Sequence, residues 1–237
     1  MKTWLKFFTV FLLLCTLTVH VQAAYGEPFV LSSANKDTLS GVYFFGESTT
    51  AHLSRVGGVL DSDENRDKVL RDESGTRYLD ARILSSPVLC NGKKVSFAEA
   101  IEKLQPHVLV LSFGLNGLSR WSRDPDAFLR NYRALIEGVL ERSPSTKIIL
   151  QSVYPVGENT CFSLPVGEVN AQIDNLNTHI ASLAEKYQNV EYVNTAALLV
   201  DASGALNAAY DVGDGIHLTN EAYRIILAFL EQTIGAE

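Results

Sequence analysis

A chain of 237 residues is long enough for one sizeable α/β core and too short for two comfortable ones. Its 27 acidic residues outnumber 20 basic ones, which argues against nucleic acid or an anionic membrane surface as the main partner. No repeat, low-complexity tract or linker interrupts the sequence after residue 23, so one domain over residues 24–237 is the simplest account.

The first residues read as an export leader. Lys2 and Lys6 supply the basic end, residues 7–19 are mostly apolar, and Val21-Gln22-Ala23 supplies small residues for cleavage before Ala24. The apolar run is shorter than the ~20 residues of a membrane span. Leu14 is too bulky for the position before a lipid-modified Cys15. The expectation is a cleaved signal over residues 1–23, a secreted or extracytoplasmic mature chain, and no stable membrane insertion. Losing two lysines makes that mature chain more acidic still.

Residues 25–40 read as a loose lead-in. Val42-Tyr43-Phe44-Phe45 then runs without a polar break, as expected of a strand buried on both faces of a parallel sheet. Gly46 permits a sharp turn, and Ser48-Thr49-Thr50 opens a helix. Ser48 is open to two readings. It is either a plain N-cap or a hydroxyl at the carboxyl edge of the sheet, where helix-start N–H groups can receive an oxyanion.

Residues 61–80 are dense in charge. Asp61, Asp63, Asn65 and Asp67 mimic half a calcium loop, but Arg66 and Asp72 stand where Gly and a bidentate Glu belong, so a solvated surface insertion is the better reading. A second strand is expected around residues 81–84. Ser96-Phe97-Ala98-Glu99 is a capping box for a helix that ends at Pro106. Another apolar strand covers residues 108–113, followed by a turn at Gly114-Leu115-Asn116-Gly117. Asp124-Pro125 starts a helix with Phe128, Tyr132, Leu135 and Val139 on one face. A strand over residues 148–154, a long loop, a helix burying Ile173, Leu176, Ile180, Leu183 and Tyr187, and a short strand over 190–193 follow. The final helix spans about 220–234, after a loop holding Asp214-Gly215-Ile216-His217.

Strand and helix alternate about five times, which predicts a parallel sheet in a three-layer α/β/α sandwich. Loops after successive strands gather on one edge of such a sheet, and Ser48, Asn116, Asp214 and His217 all lie in loops of this kind. Acyl transfer needs a hydroxyl nucleophile, a base, a group that orients the base and donors for the oxyanion. Ser48, His217 and Asp214 supply the first three types. Among the other histidines, His20 leaves with the leader, His107 opens a strand and His179 lies off its helix's apolar stripe. His52, one turn after Ser48, is a packing or substrate-edge residue, with a lesser claim to be the base. Cys90 and Cys161 remain after cleavage and fit either a disulfide between loops or two separate buried thiols.

Gly46-Glu47-Ser48-Thr49, Gly114-Leu115-Asn116 and Asp214-Gly215-Ile216-His217-Leu218-Thr219 resemble the first, third and fifth blocks of the SGNH (GDSL-type) hydrolases. The resemblance covers nearly the whole mature chain. It implies a flavodoxin-like sandwich and ester hydrolysis without metal or cofactor, with Ser48 as nucleophile, His217 as base and Asp214 as its orienter. It also implies an oxyanion hole from the Ser48 N–H and the Asn116 amide. The family usually has Asp where this chain has Glu47. For the second-block glycine, a further oxyanion donor, this chain offers Gly92, with Gly57 and Gly58 as rivals. Trp121 either lines a substrate subsite or is a partly exposed core aromatic. The expected activity is an exported serine esterase acting on O-acyl groups of carbohydrate or another small ester. An acyltransferase with the same triad, or a silent carbohydrate-binding protein, is the alternative.

Overall fold

Parallel pairing organises the chain. The computed structural model describes residues 39–71 and 77–235, so the leader and most of the lead-in lie outside the described residues. Strand β1 (Val42–Gly46) is followed by a short helix, α1 (Ser48–Ala51), which tightens into a 3₁₀ turn at His52–Ser54. A hairpin of β2 (Pro87–Cys90) and β3 (Lys93–Ser96) leads into α2 (Phe97–Leu104) and β4 (Val108–Ser112). Then come α3 (Leu118–Trp121), α4 (Pro125–Arg142), β5 (Lys147–Gln151), α5 (Val166–Ala184), β6 (Val190–Val193) and α6 (Asn220–Gly235). The main sheet has the order β1-β4-β5-β6, and each adjacent pair is parallel.

Alternation along the strands makes the layers, because successive side chains point to opposite faces. Phe45, Leu109, Leu111, Ile148 and Leu150 pack with Ile101, Phe128, Tyr132, Ile173 and Leu176, from α2, α4 and α5. Phe44, Val108, Val110 and Ile149 pack on the other face with Leu53, Tyr223, Ile226 and Leu230. The result is a three-layer sandwich. The helix starts follow from local chemistry. Ser96 and Glu99 form the reciprocal capping box, and Asp124 accepts the Ala127 N–H ahead of Pro125.

Two sequence expectations change here. No regular fifth strand flanks β1 among the described residues; a single parallel bridge, Phe44–Val69, occupies that side, with the Leu70 N–H on the Phe44 carbonyl. Val69 and Leu70 are the only apolar neighbours that a charged segment offers there. Residues 81–84 are not a strand. Asp80 accepts the Arg82 N–H, and the chain closes a 3₁₀ turn at Ile83–Ser85, with Ile83 buried and Ala81 and Arg82 exposed. The side-chain acceptor offers the backbone a turn in place of a ladder. The extended residues come later, in the separate β2–β3 hairpin.

Cys90 and Cys161 are free thiols, so of the two readings the separate thiols hold, although only Cys90 is buried. Cys90 points into the core from β2, where burial raises its pKa, while Cys161 is exposed in the loop after β5. Among the described residues no helix is long and apolar enough to cross a membrane.

Gly46 is required by close approach rather than by an unusual φ. A Cβ there would meet the Thr50 side chain and lie 2.5 Å from the Ser112 carbonyl oxygen. Gly46→Ala is therefore expected to push the ends of β1 and β4 apart and to cost ~1–3 kcal/mol. Thermal melting checks this, and an unchanged Tm would show that the strand ends relax freely.

Candidate active site

β1 ends by delivering Glu47 and Ser48 to the carboxyl edge of the sheet. The Glu47 N–H donates to the Ser112 carbonyl of β4, and the Glu47 carbonyl starts α1 by accepting from Thr50 and Ala51. Its side chain is buried, and the two carboxyl oxygens accept separately from the Gly114 and Asn116 N–H groups, each at 3.0 Å. Burial pushes the carboxyl up to about 8, against the opposing pull of the N–H donors at Asn116, Gly114 and Leu115. One side chain thus pins the loop after β4 to the turn after β1.

The second half of the site is a loop that closes on itself. Asp211 and Leu218 form a bridge, and the Val212 N–H donates to the His217 carbonyl. Within the loop, Asp211 Oδ1 accepts from Gly213, Asp214 and Gly215 at 2.8, 3.1 and 3.0 Å. Asp214 Oδ1 accepts in turn from the Ile216 and His217 N–H groups at 2.9 and 2.8 Å. Gly215 has φ +72, and a Cβ on it would run into Thr160. Its carbonyl accepts the Gly157 N–H at 2.9 Å, which docks this loop on the one after β5. Asp211 escaped the sequence reading, although the Asp-x-Gly-Asp-Gly spacing carries the turn signal.

These two pieces meet in one relay. His217 Nε2 lies 3.0 Å from Ser48 Oγ, and His217 Nδ1 lies 2.6 Å from Asp214 Oδ2. Partial burial tends to raise the Asp214 carboxyl, but the His217 N–H, the His217 ring and the Ile216 N–H outweigh it and hold the group down to about 2. An ionised Asp214 favours the tautomer with the proton on Nδ1, which leaves Nε2 to accept from the serine hydroxyl. Tyr223 braces the serine helix from α6 by donating to the Thr49 carbonyl at 2.6 Å.

Asn116 belongs to the same edge through Glu47. Its Nδ2 donates to the Arg77 carbonyl at 2.7 Å, which fixes the amide plane and uses one of its two N–H bonds. Trp121 is a fully buried core aromatic whose Nε1–H donates to the Asn116 carbonyl at 2.9 Å. It buttresses the loop and does not line a subsite.

Gly92 lies in the turn of the separate two-stranded sheet. With Asn91 it forms the two-residue turn between β2 and β3, where both residues have positive φ (51° and 71°) and a Cβ on Gly92 would meet nothing within 4 Å. Asn-Gly is the preferred pair for a type I′ hairpin, and that need accounts for this glycine. The rivals have committed their donors, Gly57 to Asp61 and Gly58 to the Arg55 carbonyl. Asp61 also meets the Arg66 guanidinium at 2.8 Å, so the calcium-like run is tied up by its own neighbours.

With this geometry in place, comparison with known proteins adds context. The sequence matches the GDSL-like lipase/acylhydrolase family over residues 44–225. No curated protein matches it. Among solved structures, a GDSL-like lipase from Bacteroides thetaiotaomicron is similar with a TM-score of 0.55 and 20% identity, covering 92% of this chain and 95% of that one. An acetyl xylan esterase superposes with a TM-score of 0.54 at 19% identity, covering 80% and 98%. A catalytic mutant of an acetylxylan esterase from Geobacillus stearothermophilus gives 0.52 at 18%, covering 83% and 94%. At these identities the likeness to the solved structures is one of fold.

The Glu47 carboxyl generates a pH prediction. Between the ordinary carboxylate range and about 8, the folded chain holds a proton that the unfolded chain has released. Its stabilising contribution is complete below the unfolded pKa and is lost as pH rises through the folded one. Wild-type Tm is expected to fall between about pH 5 and pH 9, with a component absent from Glu47→Gln. Melting curves of both proteins across that range check it, and parallel slopes would remove Glu47 as the source.

Proposed function

The chain belongs to the GDSL-like lipase/acylhydrolase family, and from that premise we propose that it is an exported serine esterase cleaving O-acyl groups from carbohydrate or another small alcohol. The observation that carries this reading is the continuous relay Ser48–His217–Asp214, at 3.0 and 2.6 Å. Ser48 Oγ attacks the ester carbonyl while His217 Nε2 takes its proton. Asp214 holds the imidazole by Nδ1 and stabilises the imidazolium. The carbonyl oxygen, now an anion, is received by the Ser48 N–H and by the second N–H of Asn116, the first being held by Arg77. His217 then protonates the leaving alkoxide and the alcohol departs, leaving an acyl-serine. Water, deprotonated by the same imidazole, attacks that acyl group and regenerates Ser48.

The carbohydrate part of the proposal draws on the acetylxylan esterases of the same fold, and the export part on the leader sequence. Purified residues 24–237 are expected to hydrolyse short p-nitrophenyl esters and acetylated xylan, and to be inactivated by a serine-directed phosphonate. Ser48→Ala is expected to lower the rate at least ~10³-fold. Equal rates for wild type and Ser48→Ala would sink the esterase reading. Slow hydrolysis that rises sharply with an added sugar acceptor would identify a transferase instead.

Asn116 has its own test. Loss of a donor that strengthens as charge develops acts on the transition state, so Asn116→Ala is expected to cut kcat ~10²–10³-fold with little change in KM. A purely structural amide would instead lower Tm while activity per folded molecule stayed near wild type.

A further inference from the structure

His52 has no part in the relay, yet it touches it. It lies four residues after Ser48, in the 3₁₀ turn that extends α1, and its ring is stacked on the ring of His217. The centroids are 4.2 Å apart and the planes differ by 26°. The two in-plane nitrogens of His217 are held by Ser48 and Asp214. Such bonds resist sliding of the imidazole within its plane, but tilting about the line joining the two nitrogens leaves both nearly intact. The face contact with His52 opposes that tilt. His52 is half-buried, and its Nδ1 is buried without a hydrogen-bond partner. The stacked ring face is thus the contact the structure shows between His52 and the relay.

We propose that His52 is a positioning residue for the general base, acting as an aromatic plate that holds the His217 imidazole in the plane joining Ser48 Oγ to Asp214. This rests on the esterase reading above, because it assigns His52 a role only through His217. Charge supports it. Burial, then His217 and then Arg55 push the His52 imidazole down to about 4, with Asp214 pulling the other way. The His52 ring is therefore uncharged at neutral pH. When His217 becomes an imidazolium on receiving the serine proton, it meets the π-face of an uncharged ring and no second cation. A lysine or arginine at this position would repel that intermediate charge.

The test uses residues 24–237 carrying His52→Ala, His52→Phe or His52→Lys, with functional sites counted by phosphonate labelling. His52→Ala is expected to lower kcat at least ~10-fold per labelled site with KM little changed, because a small misplacement of a catalytic group is costly. His52→Phe, which restores a plate that cannot ionise, is expected to recover most of that loss. His52→Lys is expected to move the acidic limb of the kcat/KM profile to lower pH, since a fixed cation disfavours protonation of His217. Wild-type kcat in His52→Ala would overturn the proposal. So would a His52→Phe enzyme no better than His52→Ala, or an acidic limb in His52→Lys that coincides with wild type. If Ser48→Ala already matches wild type, the esterase reading itself has failed. If Ser48→Ala is dead and His52→Ala is not, only the role of His52 has.

Discussion

The site depends on one buried carboxyl group. A parallel sheet brings the carboxyl ends of β1 and β4 to the same edge, but it does not decide how the two loops leave that edge. Glu47 decides it, by accepting the Gly114 and Asn116 N–H groups on its two oxygens. Those donors turn away from the sheet ladder, and a buried N–H left unpaired costs ~1–3 kcal/mol. The same residue stands immediately before Ser48, so the serine and the loop that carries Asn116 share one anchor. The longer Glu side chain fills a position where the family usually has Asp, and here its reach still satisfies both donors.

The other half of the relay is built on short-range chemistry. Asp211 gathers three successive N–H groups of the loop that carries Asp214 and His217, and Asp214 gathers two more. Five oriented donors within one short loop leave it little freedom before it meets the serine. Its position is then set by docking, where Gly215 lies so close to Thr160 that no side chain fits between them. Asp214 thus serves as a turn former through one oxygen and as partner of the imidazole through the other. Rigidity and chemistry come from the same carboxylate.

Much of this was legible in the sequence, where a local rule governs each element. Unbroken apolar runs marked β1 and β4, because strands buried on both faces need no polar alternation. Ser96 with Glu99, and Asp124 with Pro125, marked helix starts, because capping involves only a few adjacent residues. The order of the three sequence blocks pointed to Ser48, Asn116, Asp214 and His217, since parallel topology gathers such loops on one edge. The strand expected at residues 81–84 is a 3₁₀ turn, and the sequence reading held no hairpin after residue 86. Asn91-Gly92 carried an explicit turn signal, but the need for an oxyanion glycine competed for the same residue.

What only the tertiary structure decided are the relations between distant segments. Sequence supplied the acidic residue at 47, but not that its two oxygens would each meet an N–H of a loop more than sixty residues away. It supplied two cysteines, but not that one would turn into the core and the other to solvent. It placed His52 one helical turn from Ser48, but not against the face of His217. The division has a physical cause. Strand, helix and turn preferences are set by sterics and hydrogen bonds among near neighbours, which the order of residues records directly. Contacts across the sheet edge depend on strand register and on how each loop docks against the next, and these are fixed only when the whole core packs.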